Sequence, residues 1–341
     1  MPSLSLVLGL GLLASLSGFT QWNSRRLEAA HPASGEFLAL PGGKIHLTRR
    51  EPQGPARGTI VLLHGASGNQ SDLMIPLGAR LTAKGFAVIA VDRPGHGWSD
   101  RFGAREMASP AAQAKIIRAA LEKAGVQKAI VLGHSWSGAL AANFALDHAD
   151  FTQGLVLVSP VTHPWPGGVS WYYTPTATPF LGPVFAHTIA MPAGLVLMGK
   201  SLKNVFGPQE VPQAYVEQTG LQLVLRPTQF RANAQDVADL FDFVTQQSTR
   251  MGDIKIPTGI ISGDKDNIVY THIHTMRSAR EIPGASLKIL PGIGHSPHWM
   301  KPDDIVTVVD EVATRVEHND AGNDAAQAHS PSGNPLVSGS R

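Results

Sequence analysis

Residues 128–140, KAIVLGHSWSGAL, decide how this chain is read. Ala129 to Leu132 is a short apolar run, the pattern of a strand buried on both faces of a sheet. A helical pattern follows from Ser135 to about His148. Between them, Gly133-His134-Ser135-Trp136-Ser137-Gly138 packs small residues into the space where a strand must turn sharply into a helix. Taken alone, Ser135 reads two ways: as a reactive hydroxyl raised above a sheet, or as an ordinary turn serine. Ser137 stands where G-x-S-x-G has its second glycine, and Gly138 comes one residue late.

The surrounding sequence repeats the same alternation. EFLALPG and GKIHLTRRE form two short strands around Pro41-Gly42-Gly43. TIVLLHG, FAVIAVD and GLVLVSP are further buried strands, and PTGIISGDKD and ASLKILPG follow late in the chain. Helices are expected from a Ser71-Asp72 cap to Lys84, from Ser109-Pro110 to about Ala124, over Thr271 to Glu281, and from about Trp299 to Val316. Strands alternating with helices predict an α/β fold, a doubly wound and mostly parallel sheet flanked by helices. From Val161 the rhythm breaks into a proline- and aromatic-rich stretch followed by helical patterns to about Arg250, the mark of an inserted helical cap. The expected division is core at 35–160, cap at 161–250, core again at 251–317 and a polar, disordered tail at 318–341.

At 341 residues the chain can bury a large core, and its charged fraction of 16% is ordinary for a globular enzyme. A net charge of +2, with no basic stripe among aromatics, argues against nucleic acid as a partner. The absence of cysteine excludes disulfides, thiol nucleophiles and thiolate metal sites. Residues 1–24 form a separate hydrophobic segment, uncharged from Leu4 to Phe19. Three readings stay open. Arg25 and Arg26 fit a single membrane anchor through residues 4–22 with the bulk of the chain on the cytoplasmic side. Ser15 and Ser17 fit a cleavage site and an exported protein. The third is a buried core helix.

Five fragments in chain order, each at a strand end, resemble the α/β-hydrolase family over roughly residues 35–317: HGASGN (64–69), DRPGHGWSDR (92–101), GHSWSG (133–138), SGDKDNIV and LPGIGHSPHW. The resemblance implies Ser135 as nucleophile on a strand-to-helix turn, His295 as its base and Asp266 as the acid that orients the histidine. Asp264 is the alternative acid, and His298 the neighbouring histidine. The backbone N–H groups of Ala66 and Trp136 are the implied oxyanion donors. His272 and His274 are expected at an exposed helix start rather than as metal ligands.

A serine at this position implies an acyl-enzyme route and hydrolysis of small to medium apolar carboxylic esters, with no metal or organic cofactor. His64, Trp165, Trp171 and Tyr172 are candidate walls of the substrate pocket, and few charges occur over 155–200. The resemblance leaves other activities open: carbon–carbon bond hydrolysis, with Arg226 and Arg231 holding a carboxylate; aminopeptidase activity, with Glu210, Glu217, Asp236 and Asp239 holding an amine; cofactor-free peroxidation; and non-enzymatic ligand binding.

Overall fold

The computed structural model describes residues 3–328. A long helix α1 (Leu4–Ala30) begins at Ser3, whose hydroxyl accepts the Leu6 N–H, and runs past the hydrophobic segment without a break. The antiparallel pair β1 (Glu36–Leu40) and β2 (Gly43–Arg50) follows, then β3 (Thr59–Leu63), α2 (Ser71–Ala83), β4 (Ala87–Val91), α3 (Pro110–Lys123), β5 (Ala129–His134), α4 (Ser137–Asp147) and β6 (Thr152–Val158). Between β6 and the next strand lie helices α5 (Tyr173–Ala177), α6 (Leu181–Thr188), α7 (Ala190–Phe206), α8 (Tyr215–Thr219) and α9 (Pro227–Gln247). The chain then re-enters the sheet with β7 (Thr258–Gly263), α10 (Thr275–Glu281) and β8 (Ser286–Leu290), and closes on α11 (Pro297–Met300) and α12 (Pro302–Ala328).

The eight strands form one sheet in the order β1-β2-β4-β3-β5-β6-β7-β8, antiparallel at β1–β2 and β2–β4 and parallel elsewhere. The period-two alternation of strand side chains splits the core into two apolar layers. Val61, Leu63, Ile89, Val91, Val131, Leu157 and Ile260 face α3 and α4 on one side. Ile60, Leu62, Val88, Ala90, Leu132, Val156 and Ile261 face α2 and α12 on the other. Both faces are covered, which is why these strands read as continuous apolar runs.

Three local expectations are corrected. The helix at 71 is not capped by Ser71 or Asp72. Its N-cap is Gln70, with no side-chain cap bond, and the Ser71 N–H goes to the Asn69 carboxamide oxygen at 2.9 Å while Asp72 turns inward and is buried. The expected last helix is two: Pro302 pushes Lys301 out of helical geometry (φ −139°, ψ 56°), ending α11 and starting α12 afresh. α12 then runs on to Ala328, well into the stretch that reads as a tail, because its packed first half nucleates a helix that the alanines of 321–328 extend. The rest of that expected tail, 329–341, lies outside the described residues.

The insertion is fixed to the core by one fully buried ion pair. Arg93, just beyond β4, donates to Asp236 of α9 at 2.7 Å, and both side chains are wholly inaccessible. Arg93 also bonds the Gln113 side chain of α3 and lies 4.0 Å over the Trp136 ring. Removing one charge strands the other in low dielectric. Asp236→Asn is therefore expected to cost about 3–5 kcal/mol in urea unfolding monitored by tryptophan fluorescence; a loss under about 1 kcal/mol would show that the pair does not hold the insertion in place.

Candidate active site

Ser135 follows the last residue of β5 and sits in the left-handed region at φ +54°, a conformation an L-residue holds only when its surroundings enforce it. They do so through three main-chain bonds. The Ser135 N–H donates to Val158 O of β6, and the Ser135 carbonyl accepts from Gly138 and Val161. The crowding explains the motif's spelling. A Cβ on Gly133 would come within 2.1 Å of the Ser137 carbonyl, and one on Gly138 within 2.4 Å of Pro160. Ser137 is tolerated in the place of a glycine because its hydroxyl has a partner, the His64 carbonyl at 2.5 Å.

The turn aims the Ser135 hydroxyl at His295, in the loop after β8: Oγ to Nε2 is 2.9 Å. The other ring nitrogen of His295, Nδ1, donates to Asp266 Oδ2 at 2.8 Å, and Asp266 Oδ1 accepts the N–H groups of Ile268 and Val269. Asp264, the alternative acid, instead accepts the Gly292 N–H at 2.6 Å and stays in its own turn. All three members of the Ser135–His295–Asp266 chain are buried. Neither the Ala66 nor the Trp136 N–H has an intramolecular acceptor among the described residues, so two donors are left free beside the serine.

The loop that carries Ala66 is held from three sides. His64 donates through Nδ1 to Gly65 O and accepts the Arg93 N–H at Nε2. The Arg93 guanidinium donates to the carbonyls of His64 and Gly65. Asn233 of α9 accepts the Ser67 N–H at 2.6 Å and donates to the Ser67 hydroxyl. His64 is therefore a brace with both nitrogens engaged, which corrects its assignment to the pocket wall. Trp171 is corrected too: at 76% exposure it faces solvent. Trp165 packs against Phe241 and His274, while Tyr172 packs against Tyr173 and Phe230, so these aromatics do not line one common wall. His272 is exposed as expected, but His274 is buried and its Nδ1 accepts the N–H groups of Thr162 and His163.

A second polar cluster lies directly behind His295, and sequence reasoning passed over it. His134 donates Nε2–H to the His295 carbonyl, and its ring packs at a tilt against those of His295 and His298. His298 Nε2 is 3.3 Å from Asp72 Oδ2 but is out of line for a hydrogen bond, and Asp72 Oδ1 accepts from the Tyr215 hydroxyl and Trp299 Nε1. The donor atoms of Asp72, His134 and His298 lie within 4.8 Å of one another, close enough to share a cation. Burial opposes ionisation of Asp72, but His298, His134 and the Trp299 N–H more than offset it and hold the carboxyl below its usual value. The available signal was the histidine inside the GHS turn itself.

A serine hydroxyl, a histidine and a carboxylate thus stand in one hydrogen-bonded chain at the edge of a mostly parallel, doubly covered sheet. A profile of the α/β hydrolase fold matches residues 58–302, and the chain belongs to that family. It is 27% identical over 310 residues to an uncharacterized protein of Mycobacterium tuberculosis H37Rv, covering 86% of this chain and 85% of that one. It is 26% identical over 280 residues to the 2-hydroxy-6-oxo-6-phenylhexa-2,4-dienoate hydrolase of Burkholderia cepacia, covering 77% and 89%. Its fold matches the crystal structure of the enol-lactonase from Burkholderia xenovorans LB400 with a TM-score of 0.67 at 21% identity, covering 82% of this chain and all of that one.

Buried neutral histidines make this region acid-sensitive. Burial, with Arg93 and His96 adding to it, lowers His64 to about 3; burial, with His163 adding to it, lowers His274 to about 3. The unfolded chain takes up these protons near pH 6.5 and the folded chain does not, so stability falls as pH drops from about 6.5 towards 3, by about 1.4 kcal/mol per pH unit for each group. His274→Gln should remove one group's share of that slope between pH 6.5 and 5 in urea titrations; an unchanged slope would mean that His274 is already protonated in the fold.

Proposed function

We propose that this α/β-fold hydrolase cleaves carboxylic esters of small to medium apolar substrates through an acyl-enzyme on Ser135. The observation that carries the reading is the unbroken chain from Ser135 Oγ to His295 (2.9 Å) to Asp266 (2.8 Å), with two free main-chain donors beside it. His295 Nε2 takes the serine proton as Oγ attacks the ester carbonyl, and Asp266 keeps Nδ1–H in place and steadies the imidazolium. The carbonyl oxygen, now an anion, is received by the Ala66 and Trp136 N–H groups, each worth about 10²–10³ in turnover. Collapse expels the alcohol with the proton from His295. Water, activated by the same nitrogen, then adds to the acyl group and releases the acid and Ser135.

The insertion 161–250 acts as a cap over this site, and its charges favour an uncharged substrate. Arg226, the first candidate for holding a carboxylate, is already committed to Glu28 at 3.0 Å and to the carbonyls of Gly97 and Leu223. Asp236 is paired with Arg93 and Asp239 with Arg105, so neither is available to hold a substrate amine. Glu210 and Glu217 lie on the surface. The named activity of the Burkholderia cepacia relative supports carbon–carbon bond hydrolysis as the second reading, with Arg231 as the remaining cation.

Full-length protein assayed against p-nitrophenyl esters from acetate to palmitate is expected to show an acyl-length optimum. Ser135→Ala should lose at least about 10³ of the rate, and Asp266→Asn about 10³–10⁴ with the fold intact. Full activity in the Ser135→Ala protein would sink the serine mechanism. Turnover of a vinylogous 1,5-diketone but of no ester would transfer the assignment to the carbon–carbon reading.

A further inference from the structure

Helix α1 is two helices in character. From Leu4 to Ser15 every residue is exposed, and Leu4, Leu6, Val7, Leu8, Leu10 and Leu12 are each more than half exposed. From Leu16 onward one stripe turns inward: Thr20, Asn23 and Leu27 are buried, and the stripe packs on α6 and α7 of the insertion. Leu27 joins Met191, Leu223 and Leu225 in a small apolar cluster of its own, and Glu28 pairs with Arg226. The helix is thus keyed to the cap by its second half, while its first half stays exposed among the described residues.

Helix geometry ties these halves to a membrane. α1 is long and apolar enough to cross a bilayer. Its apolar run Leu4–Phe19, which starts at the Ser3 cap, covers about 24 Å at 1.5 Å per residue, short of the roughly 30 Å of hydrocarbon, and no charge follows before Arg25. The missing turn is Thr20–Asn23, where α1 already lies against the cap. Trp22, with Arg26 stacked over it at 5.8 Å, and Arg25 follow at that level, the residue types that mark a membrane–water boundary. A bilayer around α1 therefore reaches the cap.

The cap is suited to meet it. No Asp, Glu, Lys or Arg occurs between Phe151 and Gly199. α6 and α7 turn Gly182, Ala186, Ala190 and Met191 inward, and leave outside Phe180 (86% exposed), Leu181 (65%), Val184 (52%), Ile189, Val196 (81%) and Leu197. The two helices together are as long and apolar as a span, but they are bent by 66° at Ile189 and each has one face packed on the protein, which suits them to lie in a surface rather than cross it. Lys200 and Lys203, both exposed, follow on α7, placed as Arg25 and Arg26 are on α1 to meet anionic headgroups.

We propose that α6 and α7 are a membrane-docking face: with α1 spanning the bilayer, the cap is seated in the acyl–headgroup boundary of the same leaflet. Resting on the hydrolase reading above, the consequence is a substrate class: apolar acyl compounds that partition into the bilayer and reach the site from the lipid side.

The chain has no cysteine, so single cysteines can be placed cleanly. Val184→Cys and Val196→Cys, with Glu311→Cys on α12 as control, are labelled with the environment-sensitive fluorophore NBD in the full-length protein and reconstituted into phosphatidylcholine–phosphatidylglycerol vesicles. Docking predicts blue-shifted emission at 184 and 196, quenched by nitroxides on the lipid acyl chains, and neither effect at 311. Quenching at 184 and 196 by aqueous iodide alone overturns the proposal. So does a blue shift that grows with protein concentration in detergent without lipid, which would mean a second copy covers the face. N-terminal sequencing that finds α1 removed from the vesicle-recovered chain overturns it as well. As a second readout, the Leu181→Asp/Val196→Asp protein should turn over a vesicle-borne long-chain ester at least about tenfold more slowly, with p-nitrophenyl acetate turnover unchanged. Lipid quenching in a chain that cleaves neither ester would leave docking standing and fail the ester-hydrolase reading alone.

Discussion

The rest of this structure is arranged around one strained residue. Ser135 at φ +54° costs about 1–3 kcal/mol relative to relaxed backbone, and nothing local offsets it. What enforces it is the register of β5 against β6, which brings Val158 O to the Ser135 N–H, and the approach of α4 so close to β5 that only glycine fits at 133. That approach depends in turn on a sheet covered on both faces, because α4 is held down by the apolar layer that α3 and the strands share. Strain at the turn and burial in the sheet are two ends of one requirement.

Polar groups near the turn are arranged so that the buried ones are mostly satisfied by backbone rather than by each other. His64 is spent on Gly65 and Arg93; the Arg93 guanidinium is spent on two carbonyls of the same loop before it reaches Asp236. The Ala66 N–H in that loop and the Trp136 N–H beside it have no acceptor among the described residues, and a main-chain donor so placed is costly unless something arrives to accept it.

The chain's legibility followed the range of its interactions. Strands in a doubly covered sheet announce themselves in five to seven residues; Ser135, Asp266 and His295 each follow one, and it was the resemblance of those fragments to a family, not their spacing, that picked them out. Asp72 was misread because an acid in the first turn of a helix looks like a cap; its partners His298, Tyr215 and Trp299 are 143 to 227 residues away or nearly so, and no local pattern pairs them. Asn233 and Arg93 were missed for the same reason, being ordinary in sequence and decisive only once α9 is laid over β4. Trp171 and His64 failed in the opposite direction. Composition says that an aromatic or a histidine near a site is available to substrate, but only packing says which way it faces and what it already holds.

Arg226 shows how far such commitments extend. It is the first residue before α9, it pairs with Glu28 at the foot of α1, it donates to Gly97 in the turn after β4, and its guanidinium lies 4.8 Å over Trp98. That turn is the one whose Arg93 braces the Ala66 loop. One side chain therefore joins the N-terminal helix, the insertion and the loop system of the site into a single mechanical body. A rigid link of this kind has a consequence that does not depend on what lies around α1. The orientation of α1 is thereby tied to that of the insertion, and through Arg226 and Arg93 to that of the loops around Ser135.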